Sequence, residues 1–361
     1  MIERVDVAIV GAGMAGASLA AQLAGRVGSL ALIEAEDQPG YHSTGRSAAF
    51  WMESYGGPHV QPLTSASGAW LAQMGFLKPR GALHIADAEG AAVLEALRDE
   101  LGEGVRFRSV GTEELRETVP GLRPGWEQAL AESSCADIDV AALHEEYLRN
   151  GKTAAARLIT GARVETLARE CNRWRLETAA GAILADVVVN AAGAWADDVA
   201  RRAGVQPLGF QPYRRTIAQL KMDRPAPADL PLVIDALGRF YFKPEAGGRL
   251  WLSPHDETAC DPCDCAAEEL DVAVAIDRLE KVVDWRVERV ERRWAGLRTF
   301  APDRVPVYGY DLSVPGFFWC AGQGGFGIQT APAAAKLAAA LFLGEEPALD
   351  PEPYRPGRFA T

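Results

Sequence analysis

Apolar and polar positions follow one another along this chain in two rhythms. Short unbroken apolar runs of strand length sit between longer stretches in which apolar residues return every third or fourth position. Val7-Ala-Ile-Val10 is the first run and reads as a buried strand. Gly11-Ala-Gly13-Met-Ala-Gly16 then turns tightly into a helix, and Leu30-Ala-Leu-Ile33 is the next strand, so residues 4–34 form a βαβ unit. Helical spacing marks 60–76, 89–101 and 139–152, the last capped by Asp139. A strand is expected over 77–86 and another containing 161–165. A hairpin pairs 173–178 with 182–189 around Ala180-Gly181. Val119-Pro-Gly-Leu-Arg-Pro-Gly125 is a turn-rich loop. Residues 207–294 are mixed, with a strand at 240–243 and a surface helix at 268–283. The last part holds a strand at 316–321, an alanine-rich helix at 331–343, and a proline-rich tail, 344–361, expected to lie on the surface.

The first turn carries chemistry. Gly11 permits the turn, Gly13 lets the backbone approach a pyrophosphate, and Gly16 lets the helix pack closely on the strand. The helix N-terminus, with Met14 and Ala15 in its first turn, offers free N–H groups and a positive dipole end to phosphates. Glu34, ending the second strand, is placed to accept hydrogen bonds from a ribose. Strand before, helix after and acid at the right distance make a dinucleotide-binding fingerprint rather than a structural turn.

Bulk properties narrow the classes. The chain has 361 residues and is 48% hydrophobic, enough for two domains or one large discontinuous one. A net charge of −12 argues against binding nucleic acid or an anionic membrane through bulk charge. No apolar run is long enough to span a bilayer. The N-terminus starts charged (Glu3, Arg4, Asp6) and enters a strand at once, which leaves no room for a cleavable signal. A cytoplasmic protein with six reduced cysteines is expected.

Other candidates remain open on local grounds. The loop from Asp37 to Ala49 is expected to lead into a helix. Its Ser43, Thr44, Arg46 and Ser47 suit a phosphate-bearing ligand, or the serines only cap that helix. Phe50, Met52 and Tyr55 line a pocket or belong to a core. Asn190-Ala-Ala-Gly-Ala-Trp195 lets backbone approach a flat ligand, or is a plain turn. His255 with Cys260, Cys263 and Cys265 has the residue types of a zinc site, but the spacing favours a solvated loop. A second glycine turn, from Gly322 to Thr330, feeds the N-terminus of the 331–343 helix. One pyrophosphate is already housed at the first turn, so this end suits another charge, such as an anionic reduced flavin ring.

Taken together, the first glycine turn with Glu34, the 190–195 strand end, Gly296-Leu-Arg298 and Gly324-Gly-Phe-Gly327 resemble the D-amino acid oxidase (glycine/sarcosine oxidase-like) flavoprotein family over essentially the whole chain. Within it, the stretches 41–49, 294–298 and 323–330 are most similar to bacterial D-arginine dehydrogenase. The resemblance implies an α/β fold in which a Rossmann-like FAD-binding domain (1–79, 139–206 and 295–361) is interleaved with an α+β substrate domain (80–138 and 207–294) built on a mixed or antiparallel sheet. It also implies FAD, a small-molecule substrate, an imino acid product, and oxygen or a quinone as electron acceptor. Residues 294–303 lack the cysteine through which the sarcosine oxidase branch attaches flavin, so FAD is expected to be non-covalent.

By position, the resemblance assigns Arg215 and Arg298 to the substrate carboxylate, with the Tyr241 hydroxyl beside them. Tyr55 becomes a lid, and the Gly325 carbonyl orients the amine. Ser43, Thr44, Arg46, Ser47, Ala48, Ala49, Val164, Ala192, Gly193 and Trp195 become cofactor contacts, Val164 offering its backbone to the adenine. Gln329 and the backbone of Gly324, Gly325, Phe326, Gly327, Ile328 and Thr330 come to lie near the flavin's pyrimidine end. Phe50 stands where the arginine-preferring enzyme has a histidine, and Ala82 where it has a glutamate. An unpaired guanidinium in a dry pocket is costly. The expected substrate is therefore an apolar D-amino acid, oxidised by hydride transfer from Cα to flavin N5. A secondary or cyclic amine, a 2-hydroxy acid, and a flavin-carrying subunit are the alternatives; a nicotinamide dehydrogenase is disfavoured by the second glycine turn.

Overall fold

The computed structural model describes residues 3–170 and 172–360. Two large sheets organise it. In the first, strands run in the order Val164–Glu170, Arg173–Thr178, Gly181–Asn190, Glu3–Val10, Leu30–Ile33, Arg157–Ile159. The inner members are parallel: Glu3–Val10 pairs with both Gly181–Asn190 and Leu30–Ile33 in that sense. Phe317–Ala321 also lies parallel to the end of Gly181–Asn190. Parallel strands buried on both faces need continuous apolar runs, which is why they stand out in the sequence. Val7 and Ile9 pack with Leu19 and Leu23 of helix Met14–Leu23 and with Leu337 of helix Ala331–Leu343. Ala8 and Val10 face the opposite side, among Val188, Trp319 and Phe210.

The second sheet has ten strands, nine of them in the order Gln323–Gly324, Val287–Phe300, Gln211–Met222, Arg249–Ser253, Tyr241–Glu245, Leu232–Asp235, Ala82–Ala86, Gln128–Glu132, Phe107–Val110. Its pairs are antiparallel except for Leu232–Asp235 against Ala82–Ala86. Period-two alternation gives each strand one covered and one site-facing side. Ala218, Leu220, Phe240, Phe242, Leu250 and Leu252 pack beneath Val272, Ala275 and Leu279 of helix Glu269–Val282. Arg215, Ile217 and Tyr241 therefore point the other way, toward the first sheet. A small third sheet joins Phe50–Trp51, Ala136–Ile138 and Leu77–Pro79.

Several local expectations are corrected. The loop after Asp37 leads into a short 3-10 turn, Ser43–Arg46, and then the strand Phe50–Trp51, because Ala49 takes a left-handed φ of 54° that no helix allows. The strand over 77–86 is two strands in different sheets, broken where Gly81 adopts φ 77°. Gly161 (φ 59°) bends the chain, so the next strand begins only at Val164. The expected domain boundary at 294/295 falls inside the unbroken strand Val287–Phe300. The tail is not only a surface extension: Tyr354 is buried, and its hydroxyl donates to the His59 carbonyl at 2.9 Å. The cysteines among the described residues (Cys135, Cys260, Cys263, Cys265, Cys320) are free thiols, and Cys171 lies outside those residues.

Candidate active site

The cavity between the sheets begins at the C-terminal ends of the parallel strands, the usual ligand position of such sheets. Gly11, Gly13, Met14, Ala15 and Glu34 line one end. The glycines are required by close approach. A Cβ on Gly16 would meet the Gly11 carbonyl oxygen at 1.9 Å, and one on Gly11 would meet the Ala191 oxygen at 2.4 Å. Glu34 is buried and accepts from the backbone N–H of Ala12 (2.8 Å) and Glu36 (3.0 Å), which fixes its carboxylate at the strand end. The Met14 N–H, first of the helix, donates to Thr44 Oγ1 at 2.9 Å.

The strip Ser43, Thr44, Arg46, Ser47, Ala48 and Ala49 runs along the cavity, with Val164, Ala192, Gly193 and Trp195 also lining it. Gly324, Gly325, Gly327, Ile328 and Gln329 form another wall. Gly16, Phe326 and Thr330 do not line the cavity. Phe326 packs with Val60 and Phe300, and the Thr330 hydroxyl donates to the Phe326 carbonyl at 2.8 Å.

Three of the residues expected to contact the cofactor line the cavity and also have partners within the protein. Arg46 reaches across to the 260–265 loop, pairing with Asp264 at 2.5 Å and donating to the Cys265 carbonyl at 2.9 Å. That loop is thus a clasp on the cavity rim rather than a merely solvated turn, and Tyr41 holds its Asp264 from the other side at 3.0 Å. Among the described residues, no group of three His, Cys, Asp or Glu could hold a metal ion. The Gln329 side chain turns into the protein, donating to the Tyr55 carbonyl and to Thr64 Oγ1, both at 2.9 Å. The Val164 carbonyl accepts from Arg202 Nη1 at 2.8 Å.

At the other end stand Arg215 and Arg298, in neighbouring strands two register positions apart. Arg215 is buried. Its Nε donates to the Asp256 carbonyl (2.6 Å) and its Nη2 to Glu257 (3.1 Å), while Nη1 has no partner among the described residues. Burial and the nearby Arg298 charge pull its pKa down. Arg298 Nη1 donates to the Tyr55 hydroxyl. Burial alone pushes the Tyr55 phenol up, but the Arg298 and Arg215 charges outweigh it and bring it below its ordinary value. The Tyr241 hydroxyl is buried and likewise has no partner. Gly325 lies against Arg298: a Cβ there would meet Nη1 at 2.9 Å.

Phe50 closes this end, with its ring 5.3 Å from Tyr55 and 5.8 Å from Tyr241. Met52, Ala82 and Tyr241 do not line the cavity; they pack behind Phe50, with Ile217, Leu232 and Ile234. Two residues gain a place that the sequence did not suggest. Ile217 follows Arg215 by one strand period and lines the cavity; the period-two rule could have found it. His255 sits with its ring 5.5 Å from Tyr241, its Nδ1 bonded to the Gly238 carbonyl at 2.8 Å. Burial and the Arg215 and Arg298 charges pull its pKa to about 2, so it is neutral. The hairpin around Ala246-Gly247-Gly248 brings residues 238 and 255 together, and that turn was the signal available in the sequence.

The cradle fits FAD. A side-chain-free turn faces the pyrophosphate position, an anchored acid faces the ribose position, and a wall of small residues leaves room for a flat ring. A family model described as "DAO: FAD dependent oxidoreductase" matches residues 6–341. The chain is 31% identical over 265 residues to glycine oxidase from Pseudomonas aeruginosa, covering 69% of this chain and 68% of that one. Its structure is similar to glycine oxidase from Geobacillus kaustophilus (TM-score 0.85, 23% identity, 98% of each chain). It is also similar to L-proline dehydrogenase from P. horikoshii (TM-score 0.86, 22% identity, 99% of this chain and 98% of that one).

Proposed function

This chain belongs to the DAO family of FAD-dependent oxidoreductases, and we propose that within it the protein oxidises a D-amino acid with an apolar side chain to the imino acid. Oxidation of an amine or amino acid with FAD is the family's chemistry; the choice of substrate is our reading. One observation carries it. Among the described residues, Arg215 Nη1 and the Tyr241 hydroxyl are buried without partners, next to Arg298, whose one side-chain hydrogen bond is to Tyr55. Buried unpaired donors are costly, and a substrate carboxylate would satisfy them together.

Bound FAD would supply the two-electron acceptor for the hydride leaving the substrate Cα. The protein's part is placement. Arg298 and Arg215 hold the carboxylate, Tyr241 adds a neutral donor, and the Gly325 carbonyl is placed to accept from the amine. Such anchoring fixes the Cα–H in a reactive orientation. The glycine turn and the helix Met14–Leu23 would hold the pyrophosphate, and the N-terminus of Ala331–Leu343 would offer a positive dipole end to the ring system. Arg46 is already paired by Asp264, so the phosphates would be held chiefly by the glycine turn.

The side-chain end is apolar: Phe50, Ile217 and Tyr55 line it, and the acids lining the cavity, Glu34 and Glu36, belong to the dinucleotide end. This supports poor turnover of D-arginine. The likeness to glycine oxidase keeps glycine and N-substituted glycines as the second reading, since the same carboxylate clamp would serve them. Replacing Arg298 with Met tests the proposal. KM is expected to rise about a hundredfold or more, the scale of losing a buried charge pair, with FAD retained. Unchanged kinetics would remove Arg298 from the site.

A further inference from the structure

A buried acid cluster lies behind Tyr55. Glu132, ending the strand Gln128–Glu132, has no solvent exposure. Strand register puts it on the site-facing side of the large sheet: Glu132 is opposite Ala82, Ala82 opposite Leu232, and Ile234 opposite Tyr241. Its carboxylate accepts from the backbone N–H of Glu53 (2.9 Å) and Ser54 (3.2 Å), from Ser54 Oγ (2.5 Å) and from Ser134 Oγ (3.2 Å). His84 Nε2 lies 3.1 Å from it.

Serine, histidine and glutamate are the residue types of a hydrolase triad, but not in its geometry. Ser54 Oγ and His84 Nε2 both approach the same Glu132 oxygen, so the histidine does not stand between acid and hydroxyl. The cluster is instead an anchor. Burial pushes the Glu132 carboxyl up, yet its bonds to His84 and Ser54 outweigh this and keep it below the usual range, hence ionised. The backbone it grips leads straight into Tyr55. Beyond Tyr55 come Gly56 (φ 117°) and Gly57 (φ 78°), where the chain has little stiffness of its own.

We propose that Glu132 is a positioning residue: it holds the 53–55 segment so that the Tyr55 hydroxyl meets Arg298 Nη1, tuning carboxylate recognition without touching substrate. This rests on the reading that Arg298 binds the carboxylate. The test is a benzoate titration of the FAD-loaded protein, followed by the flavin's visible spectrum. It compares the parent with Glu132→Gln, Tyr55→Phe, the double variant and Arg298→Met. Glu132→Gln is expected to weaken benzoate about tenfold, the scale of a disturbed charged hydrogen bond, with FAD content unchanged. In the Tyr55→Phe background the same change should cost less than about twofold, as non-additivity through a shared contact requires.

Equal weakening in both backgrounds, or none in either, overturns the proposal. If Glu132→Gln does not fold, Ser54→Ala is read the same way: a smaller weakening that disappears with Tyr55→Phe supports it, and one that persists overturns it. Arg298→Met separates the two readings. If it leaves benzoate binding intact, the carboxylate clamp itself fails and the role of Glu132 fails with it. If it abolishes binding while Glu132→Gln changes nothing, only the inference about Glu132 is lost.

Discussion

His255 shows how the site's charge reshapes a single residue. Its imidazole is partly buried beside two guanidiniums, and its pKa falls from 6.5 to about 2. The unfolded chain protonates it below about pH 6.5, while the folded protein does not until about pH 2. Its effect on stability is therefore nil above that window, and stability is lost as the pH falls through it. Asn tolerates the left-handed φ of 56° found here. A His255→Asn variant is expected to lose less Tm than the parent between about pH 7 and pH 5, measured by thermal melts; parallel losses would contradict the burial argument. The two arginines were legible because the resemblance fixed them by position, and the structure brings them together. His255 was legible only as a residue beside cysteines. Its setting comes from the hairpin that pairs Tyr241–Glu245 with Arg249–Ser253 across Ala246-Gly247-Gly248, a local turn signal that the reading of this stretch did not use.

Elements whose reasons are local read well. The strand, glycine turn and helix of the dinucleotide site follow from adjacent residues, and so does the helix Val140–Thr153, whose Asp139 accepts from the Ala142 N–H at 2.9 Å. Elements that depend on distant partners do not: the break at Gly81 and the continuity of Val287–Phe300 reflect sheet register. Two substitutions distinguish packing from backbone strain. Gly16→Ala drives a methyl into the Gly11 carbonyl, so FAD content of the purified protein should drop sharply. Gly344 caps the helix Ala331–Leu343 at φ 71° with nothing within 4 Å of an added Cβ. Gly344→Ala should therefore cost only about 1 kcal/mol in thermal or denaturant unfolding, with FAD content unchanged.

At the scale of the whole molecule, cofactor and fold are coupled. The cavity is walled by segments from the first turn to Gln329, and binding there stabilises the folded state by mass action. Free FAD at about a hundredfold over its Kd should add about 2.7 kcal/mol, read as a rise in Tm with FAD concentration. The cofactor should also come free on acid precipitation. Cys320 is buried in the apolar cluster with Leu19 and Leu337, with its thiol pushed up to about 12 by burial, and it does not line the cavity. No helix among the described residues is long and apolar enough to cross a membrane. The two-sheet architecture was legible in outline through the family resemblance, while the apolar runs and the first glycine turn announce the βαβ unit at the heart of the first sheet. The exact division of the chain between the sheets was not, because single strands and loops serve both.

An apolar D-amino acid, held by its carboxylate, should reduce the flavin. Anaerobic mixing of the FAD-loaded protein with D-amino acids, L-amino acids, glycine, N-methyl amino acids and 2-hydroxy acids, one at a time, tests it through loss of the visible flavin band. Bleaching by apolar D-amino acids and little or none by D-arginine is the predicted result. Bleaching by D-arginine as fast as by D-leucine, or by 2-hydroxy acids alone, would contradict it.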